Sequence, residues 1–320
     1  MVQGGSEECY VVLTEVQLSP PKAQDEVEKR TVFAHIPLLA LAGVFLLIGV
    51  LWRNVDVFIL GLSETWLNIL PCKLFPLLII LGFFFYFRRS EVSSVLGLEI
   101  HEPRKHVIMG VFVGITLFFM GNVAASIIYW AFIDPSAGLS VTIIQAHLLW
   151  YSALFFLINA VYEEVLFRGI LQNGLREYIS VNRAIFFSAA IFGIYHIIWP
   201  IYFAGTGTLN SSHLFVYIVF SGILGGIFGI YYEKFSNRQT LLGPIIAHWI
   251  INFMNENIKI ASAEVIAGPD VLLVNPAQMV IALMLVMTAY SSMIYIFSKH
   301  RASDLDGWLQ RRRAQLIGRA

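Results

Sequence analysis

Charge is scarce in this sequence. Asp, Glu, Lys and Arg make up 13% of 320 residues, about half of the roughly 25% usual in soluble domains. So few charges cannot cover a water-exposed surface, which excludes an ordinary soluble enzyme and a disordered chain. Net charge is absent as well, since 21 basic residues balance 21 acidic ones. Nothing then draws a polyanion, and no nucleic-acid partner is expected. Cysteine is rarer still. Cys9 and Cys72 define neither a disulfide scaffold nor a metal cluster and read as free thiols. The first thirty residues lack the short basic start of a signal peptide. No Ser stands in a nucleophile elbow and no H-E-x-x-H pair occurs, so two common hydrolase signatures are missing.

What the chain has is apolar mass. Hydrophobic residues reach 58%, with 25 Phe among them, and the mean hydropathy is +0.72. A helix needs roughly 20 apolar residues to cross the hydrocarbon. Spans are expected at Val32–Leu51, Leu67–Phe87, His106–Trp130, Val141–Val161, Arg183–Phe203, Leu214–Tyr232, Leu241–Ile258 and Pro276–Phe297. The expected fold is an all-α polytopic membrane helix bundle of about eight transmembrane helices. A polar leader (1–31), a membrane domain (32–298) and a basic tail (299–320) divide the chain. Loop charges orient it: 18 of the 21 basic residues fall on one side, and Arg53, Lys73 and Lys259 on the other. Basic loops face the cytoplasm, which places both termini there.

Ionisable side chains inside spans are costly and mark sites. Three clusters meet that description. In the first, Glu163 and Glu164 precede Arg168. Glu164 and Arg168 are four apart on one helix face and can pair. Glu163 points about 100° away and is left free for chemistry. The second is Phe192-x-x-x-His196, with His196 about 20 Å of helix inside its span. Nearby, Ala189 and Gly193 form a small-xxx-small pair that allows close helix approach. The third is His248-x-x-x-Asn252, both on one face, with His248 about 10 Å from the cytoplasmic boundary. In one cavity open to the cytoplasm, these groups make a hydrolytic set. An acid takes a proton from water, imidazole orients that water, and an Asn amide with a second His holds the developing oxyanion.

In this order and placement, Glu163-Glu164-x-x-x-Arg168, Phe192-x-x-x-His196 and His248-x-x-x-Asn252 resemble the CAAX prenyl endopeptidase and bacteriocin-processing family of intramembrane proteases, also called CPBP or Abi. The resemblance covers about 141–258. It implies that Glu163 activates water with His196 as partner, that His248 and Asn252 stabilise the oxyanion, and that Glu164 and Arg168 support them. It implies an endopeptidase acting on a membrane-embedded or lipidated peptide, prenylated in the CAAX-processing branch, with membrane lipids around it. The metal question has two answers. Glu163, His196 and His248 are a donor set that zinc accepts, while a glutamate–histidine mechanism needs no metal and is the preferred expectation. Phe155, Phe156, Phe186 and Phe187 are candidates to line a lipid-sized groove with lateral access. The competing functional classes are a proton-coupled transporter, built from the same residue types, and an inactive membrane scaffold.

Overall fold

The structure is a computed structural model that describes residues 33, 35–61, 69–144, 146–207, 209, 214–261, 276–305 and 307. The leader 1–31 with Cys9, and the end of the basic tail, lie outside the described residues. The chain divides into two compact units, Met1–Ile36 and Pro37–Ala320, and every element named below belongs to the second.

Helix α1 (Leu38–Asn54) runs on through a wider π-type turn, Val55–Ile59. A second π-type turn, Ile69–Leu74, leads into α2 (Phe75–Phe87). Prolines explain this irregularity. Pro71 lies within the turn and Pro76 just beyond it, and both lack the N–H that a regular helix needs. α3 (Pro103–Phe118) continues through residues 119–124 into Ala125–Phe132. The strand β1 (Ser140–Ile143) precedes α4 (Leu149–Glu164), which carries on through π-type turns to Gln172 and then to Arg176. α5 (Val181–Tyr195) is followed by α6 (Ile198–Gly205). α7 (Ser221–Ile230) sits between two more π-type turns. α8 (Leu242–Asn257) leads into β2 (Ile258–Ala261), and α9 (Pro276–Lys299) closes the described fold.

The architecture is helical, in agreement with the expected class, and the count of eight spans is not confirmed. Among the described residues, five helices are long and apolar enough to cross a membrane: Leu38–Ile59, Pro103–Phe132, Val181–Gly205, Tyr217–Phe235 and Ala277–Lys299. Cys72–Phe87 is shorter, and α4 and α8 have 16 residues each. The expected span from Val141 is corrected at its start. Val141, Thr142 and Ile143 are β-branched, suit a strand better than a helix, and pair antiparallel with β2, Ile143 opposite Ile258 and Ser140 opposite Ala261. The helix begins only at Leu149.

Lipid tails offer no hydrophobic force between helices, so close packing must hold the bundle. Glycine supplies the approach. A Cβ on Gly114 would meet Ile250 Cβ at 2.7 Å, and one on Gly110 the Gly243 carbonyl at 2.7 Å, so these two positions let α3 lie directly on α8. The Ala189–Gly193 pair does the same for α5, where a Cβ on Gly193 would reach Gly222 Cα at 3.1 Å. Aromatic rings fill the centre: Tyr231 packs against Phe297 at 4.8 Å between centroids and Phe235 against Phe297 at 5.3 Å. Large apolar side chains such as Phe112, Phe186 and Met284 stay exposed, as lipid-facing residues do.

Candidate active site

α4 and its π-type continuation carry the first cluster inward. Glu163, Glu164 and Arg168 are all at most 1% exposed. π-type turns recur at functional sites because they re-aim side chains relative to a regular helix. The expected pair forms, with Arg168 Nη1 at 3.1 Å from Glu164 Oε1. The guanidinium lies 4.4 Å from the centroid of Phe192, and Gly225 leaves room for both, since a Cβ there would meet Phe192 Cδ1 at 2.9 Å and Arg168 Nη2 at 3.1 Å. Glu164 Oε1 also faces His248 Nδ1 at 2.8 Å. A carboxylate oxygen accepts, so His248 Nδ1 donates.

His196 sits where a helix ends, not in mid-helix as the sequence suggests. α5 stops at Tyr195, residues 196–197 form a turn, and α6 starts at Ile198. The cause is Pro200, which has no N–H to give the His196 carbonyl. The break exposes one face of the imidazole to the site while its Nδ1 donates to the Phe192 carbonyl at 2.8 Å. The edge of Phe192 packs on both imidazoles, 4.7 Å from His196 and 6.0 Å from His248.

The three clusters converge on one atom. Glu163 Oε2 is 3.9 Å from His196 Nε2 and 3.6 Å from His248 Nε2. These separations exceed a direct hydrogen bond, and Glu163 Oε2 has no hydrogen-bond partner among the described residues. Asn252 lies one turn beyond His248 on α8, half-buried, and is not hydrogen-bonded to either carboxylate. Phe155 and Phe156 are half-buried and stack edge-on at 5.0 Å, whereas Phe186 and Phe187 point outward.

Glu163 is not free of a counter-ion, in contrast to the expectation from its angle to Glu164. Lys73 Nζ donates to Glu163 Oε1 at 2.6 Å. The sequence reading counts Lys73, Arg53 and Lys259 as loop charges, and the structure shows all three buried instead. Each is 7% exposed, and each is engaged: Arg53 with Asp56 at 2.6 Å, Lys73 with Glu163, and Lys259 with the Asn255 carbonyl at 2.6 Å. Burial of a cation is tolerated where a carboxylate or carbonyl meets it. A signal for Lys73 was available, because it lies inside the apolar run 67–87 and an ionisable residue there is itself a site marker. Tyr162 and Tyr195 complete the wall, with ring centroids 5.7 and 5.9 Å from Lys73 Nζ. Cys72 is buried and free, and Arg53 Nη1 lies 3.1 Å from its Sγ.

A zinc ion does not fit this donor set well. Among the described residues no group of three or more His, Cys, Asp and Glu is arranged to hold a metal ion. Glu163 Oε1 is already taken by an ammonium, which repels a dication.

A polytopic helical membrane protein with a carboxylate and two imidazoles facing one another inside it is, in class, an intramembrane hydrolase candidate. Comparison with known families carries this further. Residues 145–254 match the family described as type II CAAX prenyl endopeptidase Rce1-like. The matched segment, about a third of the chain, contains all three motifs in the order given above. No curated protein and no solved structure matches the chain.

Proposed function

We propose that this protein is an intramembrane endopeptidase that hydrolyses a peptide bond of a lipidated, CAAX-type peptide with water activated by Glu163. The convergence of Glu163 Oε2 with the Nε2 atoms of His196 and His248 at 3.9 and 3.6 Å carries this reading. With its Nδ1–H given to the Phe192 carbonyl, a neutral His196 has only an acceptor at Nε2. Two acceptors facing each other at this separation suit a water that donates one proton to each. Glu163 takes one proton, the water oxygen bonds to the scissile carbonyl carbon, and the carbonyl oxygen becomes an oxyanion. The oxyanion then reforms the carbonyl as the C–N bond breaks and Glu163 returns its proton to the leaving nitrogen, giving a carboxylic acid and an amine, and the acid's proton passes to the amine to leave a carboxylate and an ammonium.

His248 has its Nδ1–H on Glu164, so its Nε2 donates to an oxyanion only in the doubly protonated ring. Glu164 Oε1 faces both His248 Nδ1 and Arg168, and so fixes the orientation of the His248 ring. The Asn252 amide, one turn along the same face, is the second donor. Holding such donors in place is worth about 10²–10³-fold in rate at other oxyanion sites. The mechanism needs no metal, and the Lys73–Glu163 pair favours that version over zinc. The same residues also suit a proton relay, but the family match of 145–254 supports the protease.

The test is cleavage of a farnesylated CAAX peptide by purified protein in detergent. Glu163→Gln keeps the shape and the Lys73 contact but removes the base, and turnover should fall by at least about 10²-fold. Wild-type turnover by Glu163→Gln sinks the proposal.

A further inference from the structure

Lys73 stands outside the family-matched segment, 90 positions before Glu163, on the π-type turn ahead of α2. We infer that Lys73 is the positioning residue of the candidate base, pinning one carboxylate oxygen so that the other faces the imidazoles. The inference rests on the protease reading and adds to it a part supplied by the first two helices.

The charges of the site leave this task to Lys73. Arg168, the cation of Glu163's own motif, is committed to Glu164 at 3.1 Å. Arg53 is neutralised by Asp56 at 2.6 Å. Among the described residues, Lys73 is the Lys or Arg side chain within hydrogen-bond reach of Glu163. A glutamate carboxyl turns readily about its last torsion, which has broad, two-fold wells. A donor on one oxygen removes that freedom. Here the donor sits on Oε1, while Oε2 is buried, without a hydrogen-bond partner among the described residues, and aimed at both Nε2 atoms. Lys73 is itself fixed by burial against the Tyr162 and Tyr195 rings, whose hydroxyls lie 3.5 Å apart. Lys73 lies on the π-type turn Ile69–Leu74, which also holds Pro71.

The experiment compares Lys73→Met and Lys73→Arg with the wild type by two readouts on the full chain. The first is steady-state cleavage of the farnesylated peptide. In Lys73→Met, kcat should fall on the order of 100-fold, the scale of an ångström-sized misplacement, with KM nearly unchanged. Lys73→Arg should recover most of that loss, and Lys73→Met should add nothing in the Glu163→Gln background. The second readout needs no activity. The infrared difference between the wild type and Glu163→Gln isolates the Glu163 carboxylate band, which should move in Lys73→Met and stay in Lys73→Arg. A raised KM with unchanged kcat makes Lys73 a substrate-binding group and overturns the inference, as does an unmoved carboxylate band. A wild type that cleaves no lipidated peptide, while the band still moves, sinks the protease reading alone and leaves the pin established.

Discussion

Glu163 and Glu164 are neighbours with separate counter-ions, and that separation divides their work. The pairing of Glu164 with Arg168 is legible in the sequence because residues four apart share a helix face. The pairing of Glu163 with Lys73 is not, because it joins two helices distant in the chain. Glu164 carries a double duty, holding Arg168 and fixing the His248 ring. Glu164→Gln keeps an acceptor for His248 Nδ1 but leaves Arg168 as an uncompensated buried charge, which costs about 3–5 kcal/mol. Thermal unfolding in detergent should show that loss. Adding Arg168→Met should restore much of it, because the orphan charge is then gone. A Glu164→Gln protein as stable as the wild type refutes the pair.

Helical elements here depart from regularity where the site needs it. The π-type turns after Glu164 and before α2, and the break at His196, each place one chemical group. Regular α-helix would rotate those side chains away, and prolines 71, 76 and 200 account for two of the three departures. The α3–α8 contact is the other determinant, since α8 carries His248 and Asn252. Gly114→Leu should push α8 off α3, costing about 1–3 kcal/mol from overpacking, and should lower kcat by moving His248. Gly82→Leu is the control, because nothing lies within 4 Å of a Cβ there. Equal effects of the two substitutions would refute the close contact as a determinant of the site.

At the scale of the whole molecule, four buried charges meet in the candidate site. Lys73, Glu163, Glu164 and Arg168 are at most 7% exposed, and each meets an opposite charge. An integral membrane protein tolerates such groups only when they satisfy one another. The metal expectation belongs at this scale too. Protein purified without added metal is expected to hold clearly substoichiometric zinc and to keep its cleavage activity under a strong chelator. Stoichiometric zinc whose removal stops cleavage, and whose return restores it, would replace the metal-free mechanism with a zinc one and assign Glu163, His196 and His248 as ligands.

The membrane class, the three motifs and the Glu164–Arg168 pair follow from sequence alone. They depend on composition and on spacings of three to five residues, which a helix converts directly into shared faces. The Ala189–Gly193 approach is legible for the same reason. The tertiary structure decided what involves distant partners. The strand at Val141–Ile143 needs β2 to bond with, and the inward turn of Lys73 needs Glu163 to pay for its burial. The common facing of Glu163, His196 and His248 needs three helices held at set depths by glycine contacts. A buried charge is stable only beside its partner, and which partner that is depends on packing between segments that sequence spacing does not encode.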